Sequence, residues 1–366
     1  MKLKKCTTNL IQVLFIAVVM INSVFAEDIT VVGSIPHTLK QSRADSSSKY
    51  GLSNKAEGEK VIQLLKIELS DEKKALLESQ SKDALTHRQQ FSFTSQNLEY
   101  NPIPNKVELG MNNVPVLDQG IHGTCVTFAI TGALDAVIKK GDYISQLCNL
   151  QLGSYLENHG NGVSGWEGSY PINVINQIEQ YGVVNKEKQH KVGCGDLFHY
   201  PTNSNHFPGS FIEPEKYSSL SELIFGKAAN WSDIFQKNNQ VKTLNEVKES
   251  LQSGDRVVFA VMLPRTDLGF AGAVGRHNTW IYKDTWLLTP EIVQGVYDIE
   301  SAHEMIITGY DDDATAVDDK GNKHKGLLIL RNSWGSSVGD WGEFYMSYDY
   351  FKLLAYDVKR LSPNSI

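Results

Sequence analysis

Several familiar signals are missing from this sequence. Among 366 residues there are only four cysteines and eleven prolines, and Lys plus Arg (35) fall short of Asp plus Glu (42), a formal net charge of −7. No basic stripe interrupts that balance, which argues against a nucleic-acid partner. No His-Glu-x-x-His segment occurs, and the loose grouping His190, Cys194 and His199 has no second ligand pair beside it, so no zinc site is expected. Asp311-Asp312-Asp313 lacks the flanking ligands of a calcium loop and reads as a solvated turn. No metal or cofactor is expected, and there are no internal repeats. Beyond the N-terminus no segment is apolar enough to cross a bilayer.

What is present is ordinary globular composition, 41% hydrophobic and 21% charged, behind an unusual start. Lys2, Lys4 and Lys5 precede an apolar stretch from about Leu10 to Val24, and Val24-Phe25-Ala26 places small residues where a signal peptidase cuts. Residues 1–26 therefore read as a secretory signal, with a membrane anchor as the alternative. Loss of the three lysines takes the net charge from −7 to −10, and the product is an acidic exported protein, secreted or periplasmic, with no membrane partner and acting as a monomer. Cys6 leaves with the signal. Cys125, Cys148 and Cys194 remain, which invites one disulfide and one odd thiol. Cys125 sits among glycines at a helix start, where a thiolate is favoured. Cys148 and Cys194 then pair by elimination; two free, partly buried cysteines are the alternative.

Residues 27–100 carry no chemistry-bearing motif. Asp28 to Val32 reads as a strand, Arg43 to Lys60 as a loop, Val61 to about Ile67 as a short helix, Ser70 as the cap of a second helix, and Gln90 to Thr94 as another strand. This region is read as a propeptide that covers an active cleft and inhibits it; a permanent accessory subdomain is the other reading. Asn101-Pro102-Ile103-Pro104 marks a boundary, and residues 101–366 form one catalytic unit. Helical spacing runs from Cys125 to Lys140, with further helices at Ser145–Glu157, Pro171–Tyr181 and Leu244–Ser253. Strands are expected at Val257–Met262, Glu304–Thr308, Gly326–Leu330 and Glu343–Ser347. Helices first and strands later imply a segregated α+β fold.

Two distant segments hold complementary chemistry. Gln119-Gly120-Ile121-His122-Gly123-Thr124-Cys125 runs into a helix, whose N-terminal N–H groups favour a thiolate. The Gln119 amide and the Cys125 backbone N–H would make an oxyanion hole. His303 opens one strand as a candidate base, Asn332 ends another where its carbonyl can orient the imidazole, and Trp334 would shield that bond from water. A nucleophile, its base, an orienting group and an oxyanion donor amount to thiol-based acyl transfer.

These segments resemble the papain-like (C1) cysteine peptidases, whose Gln-Gly-x-Cys-Gly-Ser-Cys-Trp segment is similar to residues 119–126. Its His-Ala segment before Gly-Tyr is similar to Ala302-His303-Glu304 with Gly309-Tyr310, and its Lys-Asn-Ser-Trp-Gly to Arg331-Asn332-Ser333-Trp334-Gly335, followed by Trp341-Gly342. The resemblance spans about 100–360. It implies a helical lobe and a β-rich, barrel-like lobe with a cleft between them, and peptide-bond hydrolysis through an acyl-enzyme. It assigns Cys125 as nucleophile, His303 as base and acid, Asn332 as orienter and Gln119 as oxyanion donor. It also implies substrate contacts at Trp166, Gly168 and Ser169 on a Gly-rich wall, at Ala302 in the main specificity pocket, and at Trp334.

The departures are specific. His122 replaces the family's cysteine and is read as a simple replacement facing away from the imidazole. Val126 replaces a tryptophan. The separation from Cys125 to His303 is 303 − 125 = 178 residues and that to Asn332 is 332 − 125 = 207, against about 130–150 in the family; the excess is expected in Gly195–Ser232 and Thr266–Ser301. The sequence thus predicts a secreted cysteine endopeptidase made as a zymogen, with peptide or protein substrates and its own propeptide as inhibitor. The alternatives are a thiol amidase or transferase acting on cell-wall peptides and a non-catalytic papain-fold binding protein.

Overall fold

The computed structural model describes residues 28–40, 59–86, 103–204, 209–280 and 282–364. The expected signal segment, most of the Arg43–Lys60 loop, the expected strand at Gln90–Thr94 and the Asn101-Pro102 boundary lie outside them. The chain begins with strands β1 (Ile29–Lys40) and β2 (Glu59–Leu69), helix α1 (Asp71–Thr86) and the short strand β3 (Lys106–Glu108). A helical stretch follows: α2 (Cys125–Ile138), α3 (Gln146–Asn158), α4 (Pro171–Tyr181), α5 (Lys186–Val192) and α6 (Pro214–Leu220). Then come β4 (Ala229–Asp233), α7 (Gln240–Gln252), β5 (Arg256–Met262), β6 (Thr285–Trp286), α8 (Pro290–Gln294) and β7 (Ser301–Val317). The chain finishes with β8 (Lys323–Arg331), β9 (Glu343–Ser347), α9 (Tyr348–Leu354) and β10 (Ala355–Pro363). From α2 onward this is the expected α+β order, helices before most of the strands.

Helix α2 is the axle. Every residue from Cys125 to Val137 is buried, as expected of a helix that is apolar all round. It packs on β7, β5 and β10 on one side and on α3 and α4 on the other. Gly132 permits the sheet contact, since a Cβ there would stand 3.3 Å from Leu117 Cδ1 and 3.4 Å from Ile306 Cδ1. The helix stops at Lys139 in the left-handed region (φ 56°), and the buried Asp135 carboxylate accepts the N–H groups of Tyr143 and Ile144 at 3.1 Å, which turns the chain back. Ser145 then caps α3 by accepting the Cys148 N–H at 2.9 Å.

The helical lobe has its own core, with Leu147, Leu150, Trp166, Val184 and Tyr217 around a Cys148–Cys194 disulfide; the pairing expected from the cysteine count is present. The other lobe is built on a sheet ordered β4-β10-β5-β7-β8-β9-β6. Between the lobes lies an antiparallel hairpin, β1 against β2, paired from Ile29↔Leu69 to Lys40↔Glu59 with a register shift between Val31 and Gly33. It joins the sheet where Leu65 and Lys66 pair with Ala302 and Ser301 of β7.

One expectation is overturned here. Val61 to Ile67 is part of a strand, β2, where a short helix was expected. Val61, Leu64 and Leu65 carry helical spacing, but the segment is buried by β1 on one edge and β7 on the other, so tertiary pairing decides its conformation. Ser70 does cap the following helix, accepting the Lys73 N–H at 3.1 Å. The expected irregular stretch from Gly195 holds the short elements α6 and β4, and the strand β10 was not foreseen.

Because both bridged cysteines are buried and 46 residues apart, the Cys148→Ala/Cys194→Ala variant should lose about 2–4 kcal/mol of stability. Denaturant melts with and without reductant measure this. A wild type insensitive to reductant and a variant of equal midpoint would contradict it.

Candidate active site

Cys125 is the first residue of α2 and its side chain is fully buried. The turn before it is shaped by close approaches. A Cβ on Gly120 (φ +59°) would meet the Thr202 carbonyl oxygen at 1.9 Å, and one on Gly123 would meet Ser34 Cβ at 2.6 Å; neither position has room for a side chain. Gly123 N–H donates to the Trp166 carbonyl at 2.9 Å, which ties the turn to the Gly-rich wall.

From the other lobe, β7 supplies His303 and the end of β8 supplies Asn332. His303 Nε2 lies 2.9 Å from Asn332 Oδ1, which also accepts the Ser333 N–H at 2.7 Å. Trp334 stacks on the imidazole at 4.6 Å between centroids and covers it from water. The second ring nitrogen, Nδ1, is buried without a hydrogen-bond partner, leaving the ring one nitrogen free for proton transfer. Among the described residues no hydrogen bond joins that nitrogen to the Cys125 sulfur.

Gln119 is locked to the same corner. Its Oε1 accepts the Ser333 hydroxyl at 2.8 Å, and its Nε2 donates to the His122 carbonyl at 2.9 Å and to the Gln63 carbonyl at 3.1 Å. The last contact comes from β2. Around it, Lys60 Nζ reaches Asp118 Oδ2 at 2.7 Å and the Trp334 carbonyl at 2.6 Å, and Ile67 N–H donates to the Glu300 carbonyl at 2.9 Å. On the opposite side, Val31 N–H donates to the Tyr170 hydroxyl at 2.8 Å, Ser34 bonds Glu167, and a Cβ on Gly168 would stand 3.0 Å from the Gly33 carbonyl oxygen. The hairpin thus touches both lobes and covers the Cys125–His303–Asn332 corner.

Covering sets the electrostatics. Burial pushes the Cys125 thiol up to about 12, against the lowering effect of the Glu304, Val126 and Cys125 N–H groups. Burial lowers His303 to about 4, against the raising effect of Asn332. In the covered form both are neutral.

Other expected site residues fall in two groups. Gly168 and Ala302 face the hairpin, Trp334 lies over His303, and Ser169 is buried beside them. Trp166 does not reach the cleft: its ring stacks on Tyr200 at 5.7 Å and meets His122 edge-on at 5.1 Å, inside the helical lobe. His122 faces the same cluster, with Nε2 2.9 Å from the Pro201 carbonyl, and burial lowers its pKa. This aromatic cluster braces the turn at the position of the family's cysteine. Tyr200 was missed by sequence reasoning; its hydroxyl donates to the Gln119 carbonyl at 2.9 Å and lies 2.8 Å from Thr124 Oγ1, and nothing local marks it. Glu304 was also passed over, although a charged residue inside an apolar strand was a visible signal.

A family model described as the Peptidase C1-like family matches residues 224–360. This part of the chain is similar to the C1-like peptidase family. It contains His303, Asn332 and Trp334 and begins after Gln119 and Cys125, and the papain-like resemblance read from the motifs stands with it. Among curated proteins none gives a significant sequence match. Similar solved structures include xylellain, a cysteine protease from Xylella fastidiosa (20% identity, 74% of this chain and 92% of that chain, TM-score 0.45). Digestive procathepsin L 3 of Tenebrio molitor larval midgut is another (16% identity, 78% and 79% covered, TM-score 0.43). Bromelain from Ananas comosus, solved with the E64 inhibitor, is a third (18% identity, 72% and 100% covered, TM-score 0.43).

A thiol held protonated by burial should alkylate slowly. With the hairpin in place, Cys125 is expected to react with iodoacetamide at pH 8 at least about tenfold more slowly than in urea-unfolded protein. An equal or faster rate in the folded chain would show that the sulfur is neither covered nor neutral.

Proposed function

We propose that this protein is an exported cysteine endopeptidase made as a zymogen, with Cys125 as nucleophile, His303 as base and acid, Asn332 as orienting residue and Gln119 as oxyanion donor. The observation that carries the reading is the His303 Nε2–Asn332 Oδ1 bond of 2.9 Å under Trp334, with the other imidazole nitrogen unpartnered, in a chain whose thiol begins a buried helix. Asn332 fixes the ring by one nitrogen and so reserves the other for the thiol.

Release of the hairpin readmits water. The thiol then falls from its raised pKa toward neutrality, helped by the N–H groups at the start of α2, and the imidazole rises, so a proton passes from sulfur to His303. The thiolate adds to the peptide carbonyl, and the oxyanion takes hydrogen bonds from Gln119 Nε2 and the Cys125 N–H. His303 gives its proton to the departing amine. Water, deprotonated by His303, then splits the thioester and restores the thiol.

The N-terminal hairpin is the inhibitor in this scheme. Gln63 places a carbonyl on the Gln119 donor, and β2 takes the backbone groups of Glu300 and of Ser301 and Ala302 at the start of β7 that an extended substrate would use. Export follows from the charge and hydropathy of residues 1–26, and the disulfide is of the kind kept in oxidising compartments. No helix among the described residues is long and apolar enough to cross a membrane.

Cys125→Ala should stay unprocessed, lose cleavage of casein-like peptides and lose labelling by thiol-directed epoxides; retained cleavage would sink the reading. Asn332→Ala should keep epoxide labelling while kcat falls by about 10- to 100-fold, and an unchanged kcat would remove Asn332 from the mechanism. Lys60→Ala breaks a charge-assisted pair holding the hairpin and should speed self-processing by about fivefold or more. Processing no faster than wild type, followed by electrophoresis over time, would mean that Lys60 does not restrain release.

A further inference from the structure

Glu304, next to His303 on β7, has no part in that scheme. It is 1% exposed, and both carboxyl oxygens are buried without a hydrogen-bond partner. Burial holds it well above the ordinary carboxylate range; Asp357 adds to the rise and Lys359 opposes it. Lys359 is already engaged, with Asp233 at 2.7 Å and Asp357 at 3.0 Å. A buried carboxyl with neither oxygen satisfied destabilises the covered form in either protonation state, and such departures from good packing gather at functional sites.

Its position is specific. Ala302 and Glu304 lie in unbroken register with Met262 and Ala260 of β5, so their side chains share one face of β7. On that face Leu65 of the hairpin is the cross-strand partner of Ala302, and it reaches across to the helical lobe, where a Cβ on Gly168 would stand 3.2 Å from Leu65 Cδ2. Hydrocarbon from the hairpin therefore lies on the face of β7 that carries Glu304. The Glu304 N–H is directed at the Cys125 sulfur, the atom that would carry the acyl half of a substrate. Gln63 and Leu65 are two residues apart, one at the Gln119 amide and the other at Ala302, which sets the distance from the scissile carbonyl to this space at about two residues of extended chain.

We infer that Glu304 determines specificity: with the hairpin gone, its carboxylate borders a subsite beside Ala302 and Gly168 and takes the ammonium or guanidinium of a lysine or arginine on the acyl side of the scissile bond. This rests on the peptidase reading above. A carboxylate in a half-enclosed cleft discriminates strongly for a cation and against an acid. The hairpin, presenting Leu65 there, leaves the charge unmatched.

The test uses the full-length protein after self-processing and blocked peptides with a dye-amine leaving group. Arg, Leu or Glu is placed in turn at the second and third residues before the cleaved bond, and sites are counted by epoxide titration. Wild type should prefer Arg over Leu and over Glu at one of these positions by at least about tenfold in kcat/KM. Glu304→Gln, which keeps the shape, should lose at least about tenfold of that Arg-to-Leu ratio per titrated site, a change that a packing role would not produce. No basic preference in wild type, or an unchanged ratio in Glu304→Gln, overturns the inference and leaves the peptidase reading intact. Cleavage of no peptide by epoxide-titratable wild type overturns both. Should Glu304→Gln yield no titratable sites, the wild-type preference alone decides.

Discussion

The geometry depends on one join between the lobes. Gln119 N–H donates to the Ser333 carbonyl at 2.8 Å, the Ser333 hydroxyl donates to Gln119 Oε1 at 2.8 Å, and Asp118 bridges to Trp334. These bonds tie the turn before Cys125 to the residues that follow Asn332. Since α2 is buried along its length, the turn cannot shift without the helix, and since Asn332 holds His303, the imidazole cannot shift without β8. The proposed nucleophile and base come from segments 178 residues apart, yet their relative placement is settled by a handful of bonds in one dry corner. There hydrogen bonds are strong and unpaired groups are costly.

That dryness governs the charges. Burial neutralises Cys125 and His303 together, so in the proposed scheme the hairpin would act electrostatically as well as sterically. It also places opposite pH slopes on closure. His303 is lowered when covered, from 6.5 to about 4, so as pH falls from 6.5 toward 4 the uncovered imidazole binds a proton that the covered one refuses, and closure weakens. Glu304 is raised, so as pH climbs above the ordinary value of 4.5 the uncovered carboxyl ionises while the covered one does not, and closure weakens in that direction instead. Between about 4.5 and 6.5 the two act against each other. Acid alone would therefore be a poor trigger for release of this hairpin.

Much of this was legible in the sequence. Cys125, His303, Asn332, Gln119 and Trp334 were picked out because each sits in a short motif whose residue types make chemical sense together, and the structure joins His303 to Asn332 and Trp334 and Gln119 to Ser333. Helices α2 to α4 were legible because apolar periodicity, Ser145 and Pro171 all agree. What was not legible depended on partners. The conformation of Val61–Ile67 is set by β1 and by β7, more than 230 residues away in sequence, and its spacing alone fits a helix as well. Trp166 shares a segment with Gly168 but turns into the helical lobe because His122 and Tyr200 offer it an aromatic pocket. Tyr200 lies in an insertion without periodicity, so nothing pointed to its bond with Gln119.

The hairpin also explains why a strand, rather than a helix, suits the covering role here. The backbone groups of Glu300 and of Ser301 and Ala302 at the start of β7 would form an exposed edge without the hairpin, and an unpaired edge attracts any extended chain. A helix laid across it would leave those groups unsatisfied and admit water to the corner. A paired strand satisfies them and leaves no room for a second strand. Inhibitor and substrate then compete for the same hydrogen bonds, and the difference between them is confined to side chains. Leu65 supplies apolar burial without matching Glu304, whereas a cation there would supply the match. In the proposed scheme, a hairpin held by backbone pairing, by Lys60 and by apolar contact, but not by the Glu304 charge, would cover the site without presenting the cation that Glu304 is inferred to select.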